Sequence, residues 1–254
     1  MGNTDREWEA FGKSDPYFGV IADARFRALA TDSAVRDEFF SLGEKHVEHF
    51  LSIIKEHLDP SFAPHRALDF GCGVGRITIP LALHVEQVVA LDISDSMLKE
   101  AKRNCEQAGI QNVTLVKSDD RLTRLSGSFD FLHSFIVFQH IPRQRGEVIL
   151  NGMLRHLAGN GVGALHFTYA SSASQWRRVL GRVRATAPYV HNFVNLAHGR
   201  SFTYPHMQMN EYKVNHLLRL LQQHGCHRVH IRFSDHGGYL GIVLFFKKEA
   251  PPLL

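Results

Sequence analysis

Long apolar runs are missing from this 254-residue sequence, although 44% of its residues are hydrophobic. The uninterrupted stretches, such as residues 136–138 and 242–246, fall far short of the roughly 20 residues that a membrane-spanning helix needs. We therefore expect no transmembrane helix and no membrane partner. The composition is otherwise that of an ordinary globular chain that can bury one large core.

Cysteine is scarce, and its spacing excludes two common uses. Cys72, Cys105 and Cys226 are odd in number and widely separated, with neither a C-x-x-C pair nor the spacing of a metal site. The first residues lack the basic start and apolar middle of a secretory signal, and Arg6 stands where a myristoylation signal requires Ser or Thr. These absences predict a cytoplasmic protein without a disulfide framework.

Acidic residues are absent from residues 171–210, which contain five arginines, while the whole chain has a formal net charge of +4. The rest of the chain is therefore close to neutral, unlike the general basic surface of a nucleic-acid binder. We interpret this segment as a basic insert that covers the site of a small molecule. Its arginines could recognise an acidic ligand, but a solvated face or an oligomer contact explains them equally well, and the sequence leaves monomer and homodimer open.

Helical patterns fill the first sixty residues. Asp15-Pro16 supplies an N-cap and a proline at the first helical position, which predicts a helix from about residue 16. Residues 41–44 have the S-x-x-E form of a capping box, which predicts a second helix that starts there and ends near Asp59-Pro60. We therefore expect a helical cap over residues 1–60 and one further domain over residues 61–254.

From Arg66 onward, short apolar runs alternate with amphipathic stretches, as in a parallel sheet with helical crossovers. Strands are predicted near residues 66–70, 87–92, 112–117, 129–135, 162–168, 228–233 and 240–246. Helices are predicted near residues 95–107, 146–157 and 210–224. The last two strands are separated by a glycine-containing turn, so the chain should close with a hairpin.

The motif with the most chemical content is a glycine-rich turn after the first of these strands. Residues 67–76 read A-L-D-F-G-C-G-V-G-R. A dinucleotide site favours G-x-G-x-x-G or G-x-G-x-x-A, but Arg76 stands at the last position. Asp69 at the strand end would repel a pyrophosphate and suits a cofactor with a cationic amino acid end.

This D-x-G-x-G-x-G pattern resembles motif I of the class I S-adenosylmethionine-dependent methyltransferases. Three further landmarks resemble that superfamily in the same order: an acid, Asp92, after the second strand, Ser118-Asp119-Asp120 after the third, and residues 128–142 around the fourth. Flanking residues 15–18, 39–44 and 236–239 resemble a bacterial subgroup that acts on small molecules.

The resemblance implies a Rossmann-like sheet of seven mostly parallel strands in the order 3-2-1-4-5-7-6, with the last strand antiparallel. It implies S-adenosylmethionine as cofactor, S-adenosylhomocysteine as product, and methyl transfer to oxygen or nitrogen of a small molecule. Thirteen residues are then predicted to bind the cofactor: Asp69, Phe70, Gly71, Cys72, Gly73, Arg76, Asp92, Ile93, Met97, Asp119, Asp120, Ser134 and Phe135.

The acceptor side is predicted from position relative to the sheet. Six residues are assigned to acceptor binding: Tyr17, Gln139, Arg177, Tyr204, His206 and His236. His140 follows the fourth strand, and the ordinary pKa of histidine suits a general base. A histidine before Ile-Pro could instead only anchor the loop, and a base is needed only if the acceptor must lose a proton.

Two other functions stay open at this stage. The chain could bind S-adenosylmethionine without chemistry, or, less in keeping with Asp69 and Arg76, act as a nicotinamide oxidoreductase. The sequence contains 17 histidines, yet no H-x-x-x-H pair or carboxylate cluster accompanies them, so we assign no metal site.

Overall fold

The computed structural model describes residues 3–28, 33–172, 205 and 207–250. Its helices are α1 Asn3–Ser14, α2 Pro16–Val20, α3 Ser33–His57, α4 Thr78–Ala82, α5 Asp95–Gln107, α6 Arg143–Arg155 and α7 Val214–Gln223. Its strands are β1 Arg66–Phe70, β2 Gln87–Asp92, β3 Val113–Lys117, β4 Phe129–Ser134, β5 Leu157–Ser171, β6 Arg228–His236 and β7 Tyr239–Lys247. Two 3-10 turns cover Ala24–Ala28 and Phe138–His140.

The strands form one sheet in the order β3-β2-β1-β4-β5-β7-β6. The first five run parallel, and β7 is antiparallel to both of its neighbours. This confirms the predicted order and the closing hairpin. Because β1 and β4 are neighbours although β2 and β3 lie between them in the chain, the sheet has a switch point there, where α/β folds bind ligands.

Both faces of the sheet are covered, as the alternating side chains of β1 show. Leu68 and Phe70 point into a core shared with α6 and α7. Ala67 lies on the other face, in a core shared with α3. A third cluster joins the N-terminal helices to α5 through large side chains, among them Phe11, Phe26, Phe39 and Met97.

The prediction of a capping box at residues 41–44 is wrong. The helix α3 already begins at Ser33, so these residues lie in its interior and their backbone groups are bonded within the helix. Gly43 is needed there for close packing, because a Cβ atom would lie 2.1 Å from the carbonyl oxygen of Arg76. The predicted end of this helix, near residues 59–60, is close to the observed end at His57.

The helix predicted from Pro16 exists but is short. Its cap residue Ile21 has an extended backbone with φ −128°, and a 3-10 turn replaces the continuation. The carboxylate of Asp23 accepts a hydrogen bond from the backbone N–H of Arg25, a local bond that competes with helix propagation. Along the rest of the chain, β5 and β6 are longer than predicted, and α7 begins at Val214 rather than near residue 210.

No helix in the described part of the chain is both long enough and apolar enough to cross a bilayer.

Candidate functional site

The glycine-rich turn follows β1 at the carboxyl edge of the sheet. Gly71, Gly73 and Gly75 have φ angles of +78°, +53° and +89°, which side-chain-bearing residues rarely adopt. A Cβ atom on Gly71 would lie 2.3 Å from a methyl group of Val137, and one on Gly73 would lie 2.6 Å from a methyl group of Val20. The turn is therefore closely packed, and the first two glycines have no room for a side chain.

The backbone N–H groups of this turn are used within the protein. Gly71 and Cys72 both donate to the carbonyl of Leu91, at 2.8 and 2.9 Å. Gly73 donates to the carboxylate of Asp92 at 2.9 Å. Dinucleotide sites depend on such N–H groups pointing at a pyrophosphate. These three donors are not available to a phosphate, so the turn is not an anion-binding nest.

Asp92 ends β2 beside the turn. Besides the N–H of Gly73, its carboxylate accepts the N–H of Ser94 at 2.9 Å. Burial raises the pKa of Asp92 to about 6, against the lowering effect of these hydrogen bonds. A carboxylate has about four lone-pair positions, so Asp92 retains capacity for two hydroxyl donors. Ile93, the next residue, is half-buried, and Met97 donates its backbone N–H to the hydroxyl of Ser94, the N-cap of α5.

The two acids after β3 have different partners. The carboxylate of Asp119 accepts the N–H of Arg121 at 2.8 Å and the hydroxyl of Thr123 at 2.7 Å, and these bonds lower its pKa. Asp120 forms an ion pair with Arg145, which also pairs with Asp5 of α1 at 2.9 Å. Asp119 thus shapes the turn, while Asp120 helps to hold α1 on the sheet edge.

The helix α1 lies across this edge. The Glu9 carboxylate accepts the hydroxyls of Ser94 and Ser96, each at 2.8 Å. Although partial burial acts to raise it, these hydrogen bonds lower the pKa of Glu9 to about 2. The ring of Trp8 lies 5.0 Å from that of His140. The helix therefore spans from the start of α5 to the loop after β4 and covers the turn between them.

Beyond β4 the backbone is strained. Ser134 donates its hydroxyl to the carbonyl of Phe70 at 2.9 Å and so ties the ends of β4 and β1 together. Ile136, two residues on, has φ +59°. For a β-branched side chain this conformation is an outlier that costs on the order of 1–3 kcal/mol and marks functional sites. It reverses the chain so that Phe135 and Val137 face different neighbours.

A chain of hydrogen bonds starts at Asp69. Its carboxylate accepts the hydroxyl of Thr78 at 2.6 Å and binds the Nδ1 of His133 at 2.9 Å. The Nε2 of His133 lies 3.0 Å from the Nε2 of His46, which α3 contributes. Asp69 and His133 are each 2% exposed. Arg76 is also buried, and burial lowers the pKa of its guanidinium to about 10 although Asp69 acts in the opposite direction.

Histidines surround Phe135, which lies next to the His46 end of this series of hydrogen bonds. The rings of His46, His166 and His236 lie 4.4, 5.2 and 5.9 Å from that of Phe135. His166 is fully buried and bonds Ser234 through Nε2, but among the described residues its Nδ1 has no hydrogen-bond partner, nor does the Nε2 of His236. Burial, and secondarily His236, lowers the pKa of His166 to about 3, so the ring is neutral. Unpaired buried nitrogens of this kind are uncommon and can be satisfied by a bound water or a ligand.

Despite these histidines, the described residues contain no group of three or more His, Cys, Asp or Glu side chains placed to hold a metal ion.

Comparisons with known proteins show which families share this sequence and fold. Residues 67–161, which contain the glycine-rich turn and β1 to β4, match the family model for a methyltransferase domain. This match confirms, over these residues, the predicted resemblance to the S-adenosylmethionine-dependent methyltransferases.

Two curated relatives illustrate the range of the match. The chain is 33% identical to a chloroplastic magnesium protoporphyrin IX methyltransferase of Arabidopsis thaliana over 147 residues, which are 56% of this chain and 45% of the relative. It is 32% identical to a 23S rRNA (uracil(1939)-C(5))-methyltransferase of Burkholderia pseudomallei over 108 residues, 39% of this chain and 22% of the relative. The chain therefore spans less than half the length of either.

The fold is shared over almost the whole chain with a solved structure. Magnesium protoporphyrin IX methyltransferase from Synechocystis PCC 6803, crystallised with bound S-adenosylmethionine, superposes with a TM-score of 0.61 at 17% identity and covers 98% of both chains.

The cofactor-binding residues predicted from sequence gather at one edge of the sheet. Asp92, Ser134 and the glycine turn lie at the ends of adjacent strands. Three of the predicted side chains have other contacts: Phe70 packs on Phe138 in the core, Cys72 is buried, and Asp69 is bonded to His133 and Thr78. Only their backbone or, for Asp69, remaining lone pairs are left for a cofactor, and their roles stay predictions.

His140 and Gln139, predicted on the acceptor side, bond each other and the nearby backbone. The Nδ1 of His140 donates to the carbonyl of Gln208 at 2.8 Å, and its Nε2 lies 3.2 Å from the Gln139 amide nitrogen. The Gln139 oxygen accepts the hydroxyl of Thr168. Burial lowers the pKa of His140 to about 4. Both ring nitrogens are thus engaged, an arrangement that anchors the loop, and the catalytic role of His140 stays a prediction.

Tyr17 is not brought together with the other predicted acceptor residues. Its hydroxyl bonds Glu100 and Asn104 on α5, and its ring packs edge-on against Phe39. His236 does join His166 and Phe135. Three further predictions lie outside the described residues: Arg177, Tyr204 and His206.

Sequence reasoning missed the polar residues that α1 and α3 contribute. Glu9 and Trp8 stand on a helix with no family motif, and His46 is one of 17 histidines. His133 had a signal: a histidine inside the apolar run of β4 must be paired when buried, and Asp69 is its register partner on β1.

Proposed function

We propose that this protein transfers a methyl group from S-adenosylmethionine to oxygen or nitrogen of a small-molecule acceptor. The observation that carries the proposal is the glycine turn, whose N–H groups at Gly71, Cys72 and Gly73 are used internally next to two carboxylates. Such a site disfavours a pyrophosphate and favours a cofactor with hydroxyl donors and a cationic end.

The residues present fit this cofactor. Asp92 would accept the ribose hydroxyls, and the loop with Ile93 and the half-buried Asp119 would enclose the base. The backbone at Gly71 and Ser134 would face the amino acid end. The cofactor supplies a methyl group on a sulfonium, which is already activated for displacement. The protein then has to align the acceptor and exclude water, and alignment alone lowers such barriers by several kcal/mol.

A small acceptor is favoured over RNA, although both classes occur among the relatives' names. The half of the edge next to the glycine turn is enclosed by α1, and the histidines around Phe135 are buried or half-buried. A polynucleotide needs an open basic surface for its phosphates, whereas neutral rings in an enclosed site suit a small molecule.

Calorimetry with S-adenosylmethionine, S-adenosylhomocysteine and NAD tests the cofactor. We expect binding of both sulfur ligands and none of NAD, and the reverse would replace the proposal with a nicotinamide oxidoreductase. A turnover screen against hydroxylated, aminated and acidic metabolites, read as S-adenosylhomocysteine formed, then tests the reaction. Tight cofactor binding with no turnover on any acceptor would favour a non-catalytic binding protein.

A further inference from the structure

Three side chains from three separate elements form one continuous hydrogen-bonded line below the acceptor side. Asp69 ends β1, His133 lies on β4 in register with it, and His46 comes from α3. Neither the glycine turn nor the packing of the core requires two imidazoles here. A hydrophobic pair would fill the same space without the cost of burying polar groups.

When both rings are neutral, the geometry determines which ring nitrogens carry protons. The Asp69 carboxylate can only accept, so the Nδ1 of His133 carries a proton. In the neutral ring the Nε2 of His133 is then an acceptor, and the Nε2 of His46 must donate to it across 3.0 Å. The Nδ1 of the half-buried His46 is left with a lone pair, and it forms no hydrogen bond with the described residues. A basic nitrogen therefore ends the line.

This free nitrogen lies beside the rings on the acceptor side. The His46 ring is 3.9 Å from Phe50 and 4.4 Å from Phe135, so its plane is held between two aromatic rings. Phe135 in turn contacts His166, which is fully buried and whose Nδ1 has no partner among the described residues. Two imidazole nitrogens that can still form a hydrogen bond thus flank one aromatic ring, which fits an aromatic ligand with polar substituents.

The line also has a place for a proton. A cation on His46 itself is disfavoured, because burial, then His133, Arg76, His49 and His166, lower its pKa far below the ordinary value. His46 stays neutral when it accepts a proton on Nδ1 and gives up its Nε2 proton to His133 at the same time. The proton then rests on His133, where the Asp69 carboxylate at 2.9 Å stabilises an imidazolium as it does in a catalytic triad.

We propose that His46 is the general base of this enzyme, that His133 and Asp69 position it, and that the acceptor is a neutral phenol. The proton of the phenol passes to Nδ1 of His46 while the proton on its Nε2 passes to Nε2 of His133. The phenol oxygen forms a bond to the methyl carbon, and the carbon–sulfur bond breaks with its electron pair going to sulfur. Charge balances, since one positive charge leaves the sulfonium and one appears on His133.

The class of acceptor follows from the proton transfer that His46, His133 and Asp69 allow. This inference rests on the methyl transfer proposed above. A carboxylate acceptor is already ionised near neutral pH and needs no base. An aliphatic alcohol is too weak an acid for an imidazole to ionise. A phenol, with a pKa near that of tyrosine at about 10, lies within reach of a coupled imidazole pair, and its ring matches the aromatic surroundings.

The test compares catechol with 4-nitrocatechol, which is largely ionised at neutral pH, in the wild type and in H46Q. We expect H46Q to lower kcat/KM for catechol about 100-fold and for 4-nitrocatechol less than about 3-fold. H133N should behave in the same way. Because a purely structural defect lowers both rates equally, an equal loss would overturn the inference. H84Q, at an exposed histidine in the turn after α4, is the control and should leave both rates unchanged.

A spectroscopic measurement tests the line without any acceptor. In protein labelled with ¹⁵N histidine, with S-adenosylhomocysteine bound, we expect His46 to show protonated Nε2 and unprotonated Nδ1, and D69N to change the His133 resonances. A protonated Nδ1 on His46 would overturn the inference. So would wild-type turnover of benzoate or aniline but of neither catechol, a result that leaves methyl transfer itself intact. Failure to bind S-adenosylhomocysteine would instead remove the proposed function.

Discussion

The two halves of the carboxyl edge of this sheet satisfy their polar groups in opposite ways. Around β1 and β2, the donors of the glycine turn and the acid Asp92 are paired with one another over short stretches of sequence. Around β4 and β5, ring nitrogens of His46, His166 and His236 have no hydrogen-bond partner among the described residues. The turn in the first half is complete and suits one fixed cofactor, although the buried Nε of Arg76 beside it has no partner in the same residues, while the second half leaves ring nitrogens for a ligand to bond.

The largest expected effect breaks the completed half. Gly71→Ala places a Cβ atom 2.3 Å from Val137 at φ +78°, so we expect the free energy of unfolding to fall by at least about 3 kcal/mol. Gly109→Ala is the matched control, since its φ is +69° with nothing within 4 Å of a Cβ atom, and should cost only about 1–2 kcal/mol. Urea denaturation of both variants measures the difference, and equal losses would contradict the packing argument.

Asp92→Asn removes the charge but keeps the shape. The asparagine can accept only on its oxygen, so one of the N–H groups of Gly73 and Ser94 faces another donor. We expect affinity for S-adenosylhomocysteine to fall by about 1.5–3 kcal/mol, or roughly 10- to 150-fold, by calorimetry. NAD titrated into the same variant should still give no heat. Retention of full affinity would mean that Asp92 does not hold the ribose.

The pH dependence of the wild type adds a second measurement for this residue. Because burial raises the pKa of Asp92 to about 6, the carboxylate is protonated below that pH in the free protein. A ligand that binds the ionised form should therefore bind more weakly as the pH falls through 6. The same raised pKa makes the Asp92 contribution to folding stability decline as pH rises from about 4 to 6, since the folded state holds the proton more tightly than the unfolded chain.

His140 lies between the two halves, and His140→Ala tests whether this residue is catalytic. Both nitrogens of His140 are bonded and its ring packs on Trp8, so we expect a stability loss of about 2 kcal/mol. A general base would instead lose about 100-fold or more in turnover at unchanged stability and cofactor affinity. Thermal unfolding and single-turnover rates on one acceptor separate these outcomes.

The difference between the halves also explains what sequence alone could predict. The strands, the glycine turn and Asp92 depend on local patterns, such as a strand that runs into G-x-G-x-G, and the sheet order followed from the family that these motifs resemble. The line from Asp69 to His46 joins residues that are 64 and 87 positions apart along the chain, and no local pattern marks such pairs. The false capping box at residues 41–44 failed for a related reason, because tertiary packing of Gly43 on Arg76 overrode a local signal.

The smallest expected effect comes from removing one unpaired ring nitrogen from the open half. His236→Phe replaces a half-buried ring, whose Nε2 has no partner in the described part of the chain, by an apolar ring of similar shape. Because an unpaired polar atom costs free energy and its apolar replacement does not, we expect the unliganded protein to gain up to about 1 kcal/mol in stability. The same change removes a group that the acceptor would use, so KM for the acceptor should rise while the affinity for S-adenosylhomocysteine stays the same. His227→Phe, on the exposed turn before β6, serves as the control and should alter neither quantity. If His236→Phe lowered stability and left KM unchanged, the unpaired nitrogen would have a structural role, and His236 would not bind the acceptor.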